Sequence, residues 1–325
     1  MSMSVRFGVF VPQGWRMDLT EIADPVEKYE AMTRVAKEVD AIAAYDSIWV
    51  FDHFHTIPVP VHETCFEAWT ITAALTRDTR RVNVGQMVTC AGYRNPALLA
   101  KMASTVDVMS HGRLYCGIGG GWYEHEWKAY GYGFPETKDR MRNFREATEI
   151  IYKMLTEEDP VYHGQRYSIE RPINEPRGAR KPHTSLWIGG GGEQVTLKLV
   201  AKYGDACNFN SDPGTMRHKY EVLRGHCEAV GRDYDEIIRS TDINVFPLRP
   251  GEDPEAATAK ARAPLGMSLE NLRNVSRVGT SEEIIAYIQS LVDAGVNYVV
   301  VTLPRLAYDL EPLHRFAEEV IPHIS

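Results

Sequence analysis

Cysteine is scarce: five in 325 residues, at positions 65, 90, 116, 207 and 227, with no C-x-x-C pair. A disulfide scaffold or a Cys-rich zinc site needs closely spaced or paired thiols, so both are excluded, and the count fits a reducing cytoplasm. Long apolar runs are absent. No stretch reaches ~18 apolar residues, so none reads as a membrane span. The opening Met1-Ser-Met-Ser-Val-Arg lacks the apolar core of a secretory signal. The expected location is therefore cytoplasmic. Positive charge is in deficit, with 36 Lys and Arg against 44 Asp and Glu, a net charge of −8. No dense Lys/Arg run supplies the basic face of a nucleic-acid binder.

What is present is ordinary globular material, 44% hydrophobic and 25% charged, arranged in a regular alternation. Short apolar runs lie at residues 6–11, 47–51, 82–88, 113–118, 185–188, 205–209, 240–246 and 298–303. Their lack of strict alternation predicts strands buried on both faces. Amphipathic stretches lie between them. Val26, Tyr29, Met32, Val35, Val39 and Ile42 recur at helical spacing, as do Met141, Phe144, Ala147, Ile150, Ile151 and Met154. Asn95-Pro96 reads as a helix start and Thr280-Ser-Glu-Glu283 as a capping box. Eight strand–helix units predict a parallel (β/α)8 TIM barrel, with an open doubly wound sheet as the alternative. No linker divides the chain, which reads as one domain over 1–325. Residues 52–65, 119–138 and 247–279 read as insertions, and 160–169 as a hairpin.

In such a barrel the chemistry lies where strands end. The second strand ends in Asp52-His53-Phe54-His55, the third in Met87-Val88-Thr89-Cys90, the fourth in Gly117-Ile-Gly119-Gly120-Gly121-Trp122, and the fifth in Gly189-Gly190-Gly191-Gly192-Glu193. Glycine lets backbone N–H groups approach a ligand, and a helix start adds free donors and partial positive charge. Gly190–Glu193 is therefore a candidate phosphate cradle, or else a tight strand–helix turn. It is no P-loop, because no Lys-Ser/Thr follows. Gly117-x-Gly119-x-Gly121 lacks the dinucleotide spacing. His53 and His55 are two apart, but no third and fourth metal ligand stands at another strand end, so no metal is expected. His53 remains a candidate acid/base or cofactor contact, with a structural role beside Asp52 as the alternative. Trp122, Tyr123, Trp127, Tyr130, Tyr132 and Phe134, joined by Trp15, suit a flat apolar ligand or a plug at the barrel mouth.

Taken in order, Phe51-Asp52-His53, Val84–Thr89, Arg94-Asn-Pro-Ala97, Ser110-His-Gly-Arg113 leading to Gly117–Trp122, and Trp187–Gly192 resemble the bacterial luciferase-like oxidoreductases. The chain is most similar to the branch that uses the deazaflavin coenzyme F420. The resemblance implies a (β/α)8 barrel with a non-prolyl cis peptide at Met87-Val88 behind the ring. It implies that Asp52, His53, Met87, Val88, Thr89, Cys90 and Gly119–Trp122 line the ring, and that Gly190, Gly191, Gly192 and Glu193 hold phosphate. His53 would be catalytic, and Trp15, Trp122 and Tyr123 would meet substrate. F420 carries an anionic tail, for which Lys198, Lys202, Arg217 and Lys219 are candidates. Members that oxidise glucose 6-phosphate have Glu directly after the G-x-G-x-G and Trp four residues past the His. Trp122 and Ile57 stand there instead, so sugar-phosphate chemistry is not implied. The expected activity is hydride transfer between F420 and a planar or apolar small molecule. An FMN-dependent monooxygenase, a non-catalytic cofactor-binding barrel and a metal hydrolase are the alternatives. A homodimer and a separate cofactor reductase are the partners the family implies.

Overall fold

A computed structural model describes residues 5–325; the opening Met1–Ser4, and with it the reading of a signal-free start, lies outside the described residues. Eight parallel strands, each followed by a helix, give the (β/α)8 barrel expected from the alternation. The strands are β1 (Arg6–Phe10), β2 (Ser47–Val50), β3 (Asn83–Gln86), β4 (Leu114–Gly119), β5 (Ser185–Gly189), β6 (Ala206–Asn208), β7 (Ile238–Pro247) and β8 (Tyr298–Thr302). Every apolar run singled out in the sequence holds one of them.

The chain forms two compact units, one of Met1–Glu67, Asn210–Arg217 and Arg239–Ser325, the other of Ala68–Phe209 and His218–Ile238. In the first, β7, β8, β1 and β2 are neighbours in that order. Gly8 pairs with both Val300 and Ser47. A Cβ at Gly8 would lie 2.4 Å from Ser47 Oγ and 2.6 Å from Trp49 Nε1, so only glycine fits. The space it leaves is filled by a polar chain. Trp49 Nε1 donates to Ser47 Oγ at 2.6 Å, and Tyr298 Oη donates to Asp46 at 2.6 Å. Helix Pro25–Ala41 begins at Asp24, whose carboxylate accepts from Val26 N and Glu27 N, and it buries Met32, Val35 and Val39 while Val26 faces solvent.

In the second unit the order is β3, β4, β5, β6. Val84 pairs with Leu114, Tyr115 with Ser185, and Trp187 with Ala206. Helix Thr137–Thr156 buries Phe144, Ala147, Ile150, Ile151 and Met154, the face its spacing predicts. Asn95 caps helix Pro96–Met109 through Ala97 N and Leu98 N. The hairpin is Val161–His163 paired antiparallel with Ser168–Glu170.

The insertions differ in kind. Residues 52–65 carry no helix or strand, and 119–138 hold one short helix, Glu124–Ala129. Residues 247–279 are richer than the sequence suggests, with helices Pro254–Arg262 and Leu269–Val275 and a strand Arg277–Gly279 that pairs with β7. The Thr280 capping box is complete and starts helix Ser281–Val292.

Candidate active site

The first unit contributes the loops after β1 and β2. Gln13 locks them together. Its side-chain amide donates to Phe51 O at 2.8 Å and Phe66 O at 2.6 Å, and its Oε1 accepts from Phe51 N at 2.7 Å. Gly14 then turns with φ +99°, and a Cβ there would lie 2.0 Å from Thr64 O. The loop 52–65 is tied down as well, because Lys28 Nζ bonds Glu63 and, at 3.1 Å, Thr64 Oγ1.

These constraints place Trp15, 6% exposed, flat against His53, with ring centroids 4.3 Å apart and planes 2° apart. Phe51 packs on the same indole at 4.3 Å and stacks on Phe10 at 4.1 Å. Cys65 Sγ donates to His53 O at 3.3 Å. The imidazole is therefore oriented by an aromatic face, which leaves its nitrogens at the edge. Asp52 beside it is buried.

Behind Trp15 lies a charged group that the sequence reading missed. The Arg16 guanidinium sits 5.3 Å from the Trp15 ring and 4.9 Å from Phe51, and its Nη1 donates to Asn244 Oδ1. Burial lowers its pKa, opposed by Asp242 and Asp18. Asp18 accepts from Gly14 N at 2.7 Å, and burial raises its pKa. A single charge in a loop has no period, so only the rule that loops after strands carry function could have found this pair.

The second unit contributes backbone. β3 ends at Gln86, the Met87–Val88 peptide is cis as the resemblance implies, and Thr89–Cys90 then pairs with the end of β4. Gln86 Nε2 donates to Thr72 Oγ1 at 2.8 Å and Trp69 Nε1 to Thr89 Oγ1 at 3.1 Å, holding both sides of the bend. The glycines here make room. A Cβ at Gly117 would lie 1.9 Å from Gln86 O, and Cβ atoms at Gly119 and Gly189 would lie 2.6 and 2.7 Å from Val88 Cγ2. Gly121, at φ +74°, backs onto Cys90 Sγ and Trp127, whereas a Cβ at Gly120 would make only ordinary contact with Met141 Sδ at 3.4 Å and Phe144 at 3.9 Å.

The aromatic cluster divides. Trp127 is buried against Tyr93 and Phe134, and Tyr93 Oη donates to Glu126 at 2.9 Å. Trp122, 60% exposed, stacks on Tyr123 at 5.2 Å. Trp15, in the first unit, stacks on His53.

After β5 the chain opens into the glycine cradle. Gly190 has φ +111° and donates to Asn208 O at 2.8 Å. A Cβ at Gly191 would meet Lys219 Cδ and Phe209 Cγ at 3.3 Å, and one at Gly192 would meet Thr196 Oγ1 at 3.1 Å. Helix Thr196–Tyr203 follows with no side-chain cap, so its first N–H groups have no side-chain acceptor of their own. Lys219 Nζ donates to Gly191 O and lies 3.7 Å from Glu193, which also meets His218 at 3.2 Å. Backbone donors, a helix start and a fixed cation make up the usual equipment for a phosphate. Of the other basic residues, Lys198 and Lys202 line a cleft of about 370 Å³ with Arg145 and His226. There burial and Glu149 push the Tyr203 hydroxyl up to about 12. Arg217 is exposed. Among the described residues no group of three His, Cys, Asp or Glu side chains could hold a metal ion, and no helix is long and apolar enough to cross a membrane.

A parallel barrel with a cis peptide at the end of its third strand and glycine turns after its fourth and fifth defines a class of protein. The model of the luciferase-like monooxygenase family matches residues 5–297, and the chain belongs to that family. It is 27% identical over 311 residues to an F420-dependent glucose-6-phosphate dehydrogenase of Amycolatopsis mediterranei (strain U-32), covering 86% of this chain and 90% of that one. In fold it is similar to an F420-dependent secondary alcohol dehydrogenase solved with an F420–acetone adduct, at TM-score 0.78 and 19% identity, over 99% of this chain and 100% of that one. A monooxygenase of Streptomyces bottropensis is similar to the same degree, at TM-score 0.78 and 19% identity over 98% and 99% of the two chains.

Proposed function

We propose that the chain is an F420-dependent oxidoreductase that works as one domain over residues 1–325 and transfers hydride to or from a planar or apolar small molecule. The observation that carries this is the cradle: Gly190–Gly192 one turn ahead of the uncapped helix Thr196–Tyr203, with Lys219 bonded to the Gly191 carbonyl. The named F420-dependent relatives support the choice of cofactor. When bound, the deazaflavin exchanges a hydride at one ring carbon and does not readily activate oxygen.

The chain's own residues supply the rest. Gly190–Glu193 take the phosphate, and Lys198 and Lys202 face the anionic tail. Met87–Cys90, Gly119–Trp122 and Asp52 line the ring. His53, held flat by Trp15, gives or takes the proton on the substrate oxygen as hydride moves. Trp15, Trp122 and Tyr123 present aromatic faces to the substrate. Trp122 and Ile57 stand where sugar-phosphate-oxidising members carry Glu and Trp, which argues for a different substrate. The protein is cytoplasmic, keeps its five cysteines as thiols, forms a homodimer, and draws on a separate enzyme to recycle the cofactor.

The test is a turnover screen with secondary alcohols, enones and nitroaromatics, following deazaflavin absorbance with and without oxygen. Turnover that is independent of oxygen is expected. Turnover that needs both oxygen and reduced FMN would instead make the chain the oxygenase of a two-component system.

A further inference from the structure

The first unit holds a half-open cavity of about 140 Å³ at the C-terminal ends of β1, β7 and β8, bordered by the helical insertion after β7. Its walls are mostly apolar, with Phe10, Phe51, Phe246, Leu272, Leu303 and Leu306 among them. A cavity of ~150 Å³ lined by such side chains holds a benzene ring. The size therefore suits one ring, and not an extended chain.

Of the polar residues in the wall, two have a buried atom with no hydrogen-bond partner: Arg16 Nε and Thr302 Oγ1. Buried polar atoms in native proteins are normally satisfied, so an orphaned pair on one cavity wall marks a place where a ligand completes the bonding. The Arg16 head cannot swing away to find another partner. It is stacked on Trp15 and Phe51 and bonded to Asn244 Oδ1, and Asn244 is itself fixed by donating to Val275 O at 2.8 Å.

Arg305 and Glu21, both in the lining, satisfy each other through two hydrogen bonds, with Nη2 to Oε2 at 2.9 Å. That leaves Arg16 and Lys260 against Asp18, whose Oδ1 is occupied by Gly14 N. Asp242 also faces Arg16, so the choice rests on geometry: a held guanidinium with an unpartnered N–H beside an unpartnered hydroxyl matches a carboxylate better than any neutral group.

We propose that this cavity binds a ring-sized apolar group bearing a carboxylate, with Arg16 and Thr302 as its polar contacts. Through Trp15, the same wall reaches the face of His53. The carboxylate end is thus the part of the substrate remote from the reacting carbon. That last clause rests on the hydride-transfer reading; the binding site itself does not.

The experiment uses the full chain without cofactor, titrated with benzoate, benzylamine and toluene by calorimetry and by ligand-observed NMR. Benzoate should bind more tightly than toluene, and benzylamine should not bind. Arg16→Met should weaken benzoate by roughly tenfold or more while leaving toluene unchanged. Thr302→Val, which keeps shape and removes only the hydroxyl, should weaken benzoate several-fold. Leu265→Trp, which fills the cavity, should abolish binding of both. Benzylamine binding as well as benzoate, or benzoate binding indifferent to Thr302→Val and Leu265→Trp, would overturn the proposal even if Arg16→Met fails to fold. Benzoate binding in a protein that takes no F420 would keep the site and remove its role as a substrate end. F420 binding without benzoate binding would overturn this inference alone.

Discussion

In the first unit the loops after β1 and β2 are fixed by side chains, whereas in the second the turns after β3, β4 and β5 are shaped by glycine backbone. In the first unit Trp15, Arg16 and His53 are fixed by stacking and by the Gln13 lock. In the second, glycines 119 and 189 are shaped around Val88 and Gly117 around Gln86 O, and Gly190–Gly192 turn ahead of an uncapped helix, with Gly190 N bonded to Asn208 O. Backbone serves a part of the ligand that does not change between substrates, because an amide donor is the same whatever the sequence. Side chains serve the part that does change. On the proposed function, the glycine backbone of the second unit takes the cofactor phosphate and His53 of the first handles the proton.

The largest effect expected falls on the side-chain half. His53→Ala should lower kcat by ~10²-fold or more, the usual worth of a positioned acid or base, while F420 affinity changes little. A rate unchanged with a working substrate would return His53 to a structural role and blur the division. The backbone half should respond in the opposite sense. Gly191→Val pushes its Cβ against Phe209 and Lys219, where overpacking costs about 1–3 kcal/mol. Cofactor affinity should therefore fall about tenfold, with kcat at saturation largely kept. Equal affinity in a folded variant, read by fluorescence titration, would remove the cradle.

A smaller shift is expected from Lys219→Met, which leaves the glycines but deletes the cation on the Gly191 carbonyl. F420 binding should weaken a few-fold, and its salt dependence should become shallower, since an exposed charge is screened over ~8–10 Å. The smallest effect concerns stability. Burial raises the Asp18 pKa in the folded state, so the folded chain holds that proton more tightly than the unfolded chain does. Stability is then lost as pH rises from the unfolded carboxylate value through the folded one, and the loss is complete above it. Asp18→Asn should raise Tm by a few degrees at pH 7, and the gain should vanish near pH 4. A gain that persists at pH 4 would mean that the charge is not its cause.

The same division governs what could be read from the chain alone. The eight strands were legible because burial on both faces demands continuous apolar runs. The four consecutive glycines were visible as a candidate cradle, but the helix they were read as opening starts only at Thr196. Residues 82–88 read as one strand, yet the ladder breaks at the cis Met87–Val88 peptide and resumes at Thr89. No local composition marks that break, and only the family resemblance anticipated it. The glycines at 117 and 119 were visible, but their job of accommodating Val88 from another strand was not. Arg16 and Asp18 were missed because a half-buried charge looks like any surface charge until its neighbours are known. The aromatic loop misled in part, since Trp122 and Trp127 are five residues apart and only Trp127 is buried. The strand Arg277–Gly279 is too short, at three residues, for any period to show.

The central claim is that the glycine cradle belongs to an F420 site. The most direct measurement is a fluorescence titration of the cofactor-free protein with F420 and with FMN, each at low and high salt. F420 should bind tightly and lose affinity with salt, and FMN should bind weakly. Tighter binding of reduced FMN than of F420 would contradict the account and place the chain among the flavin-dependent monooxygenases of its family.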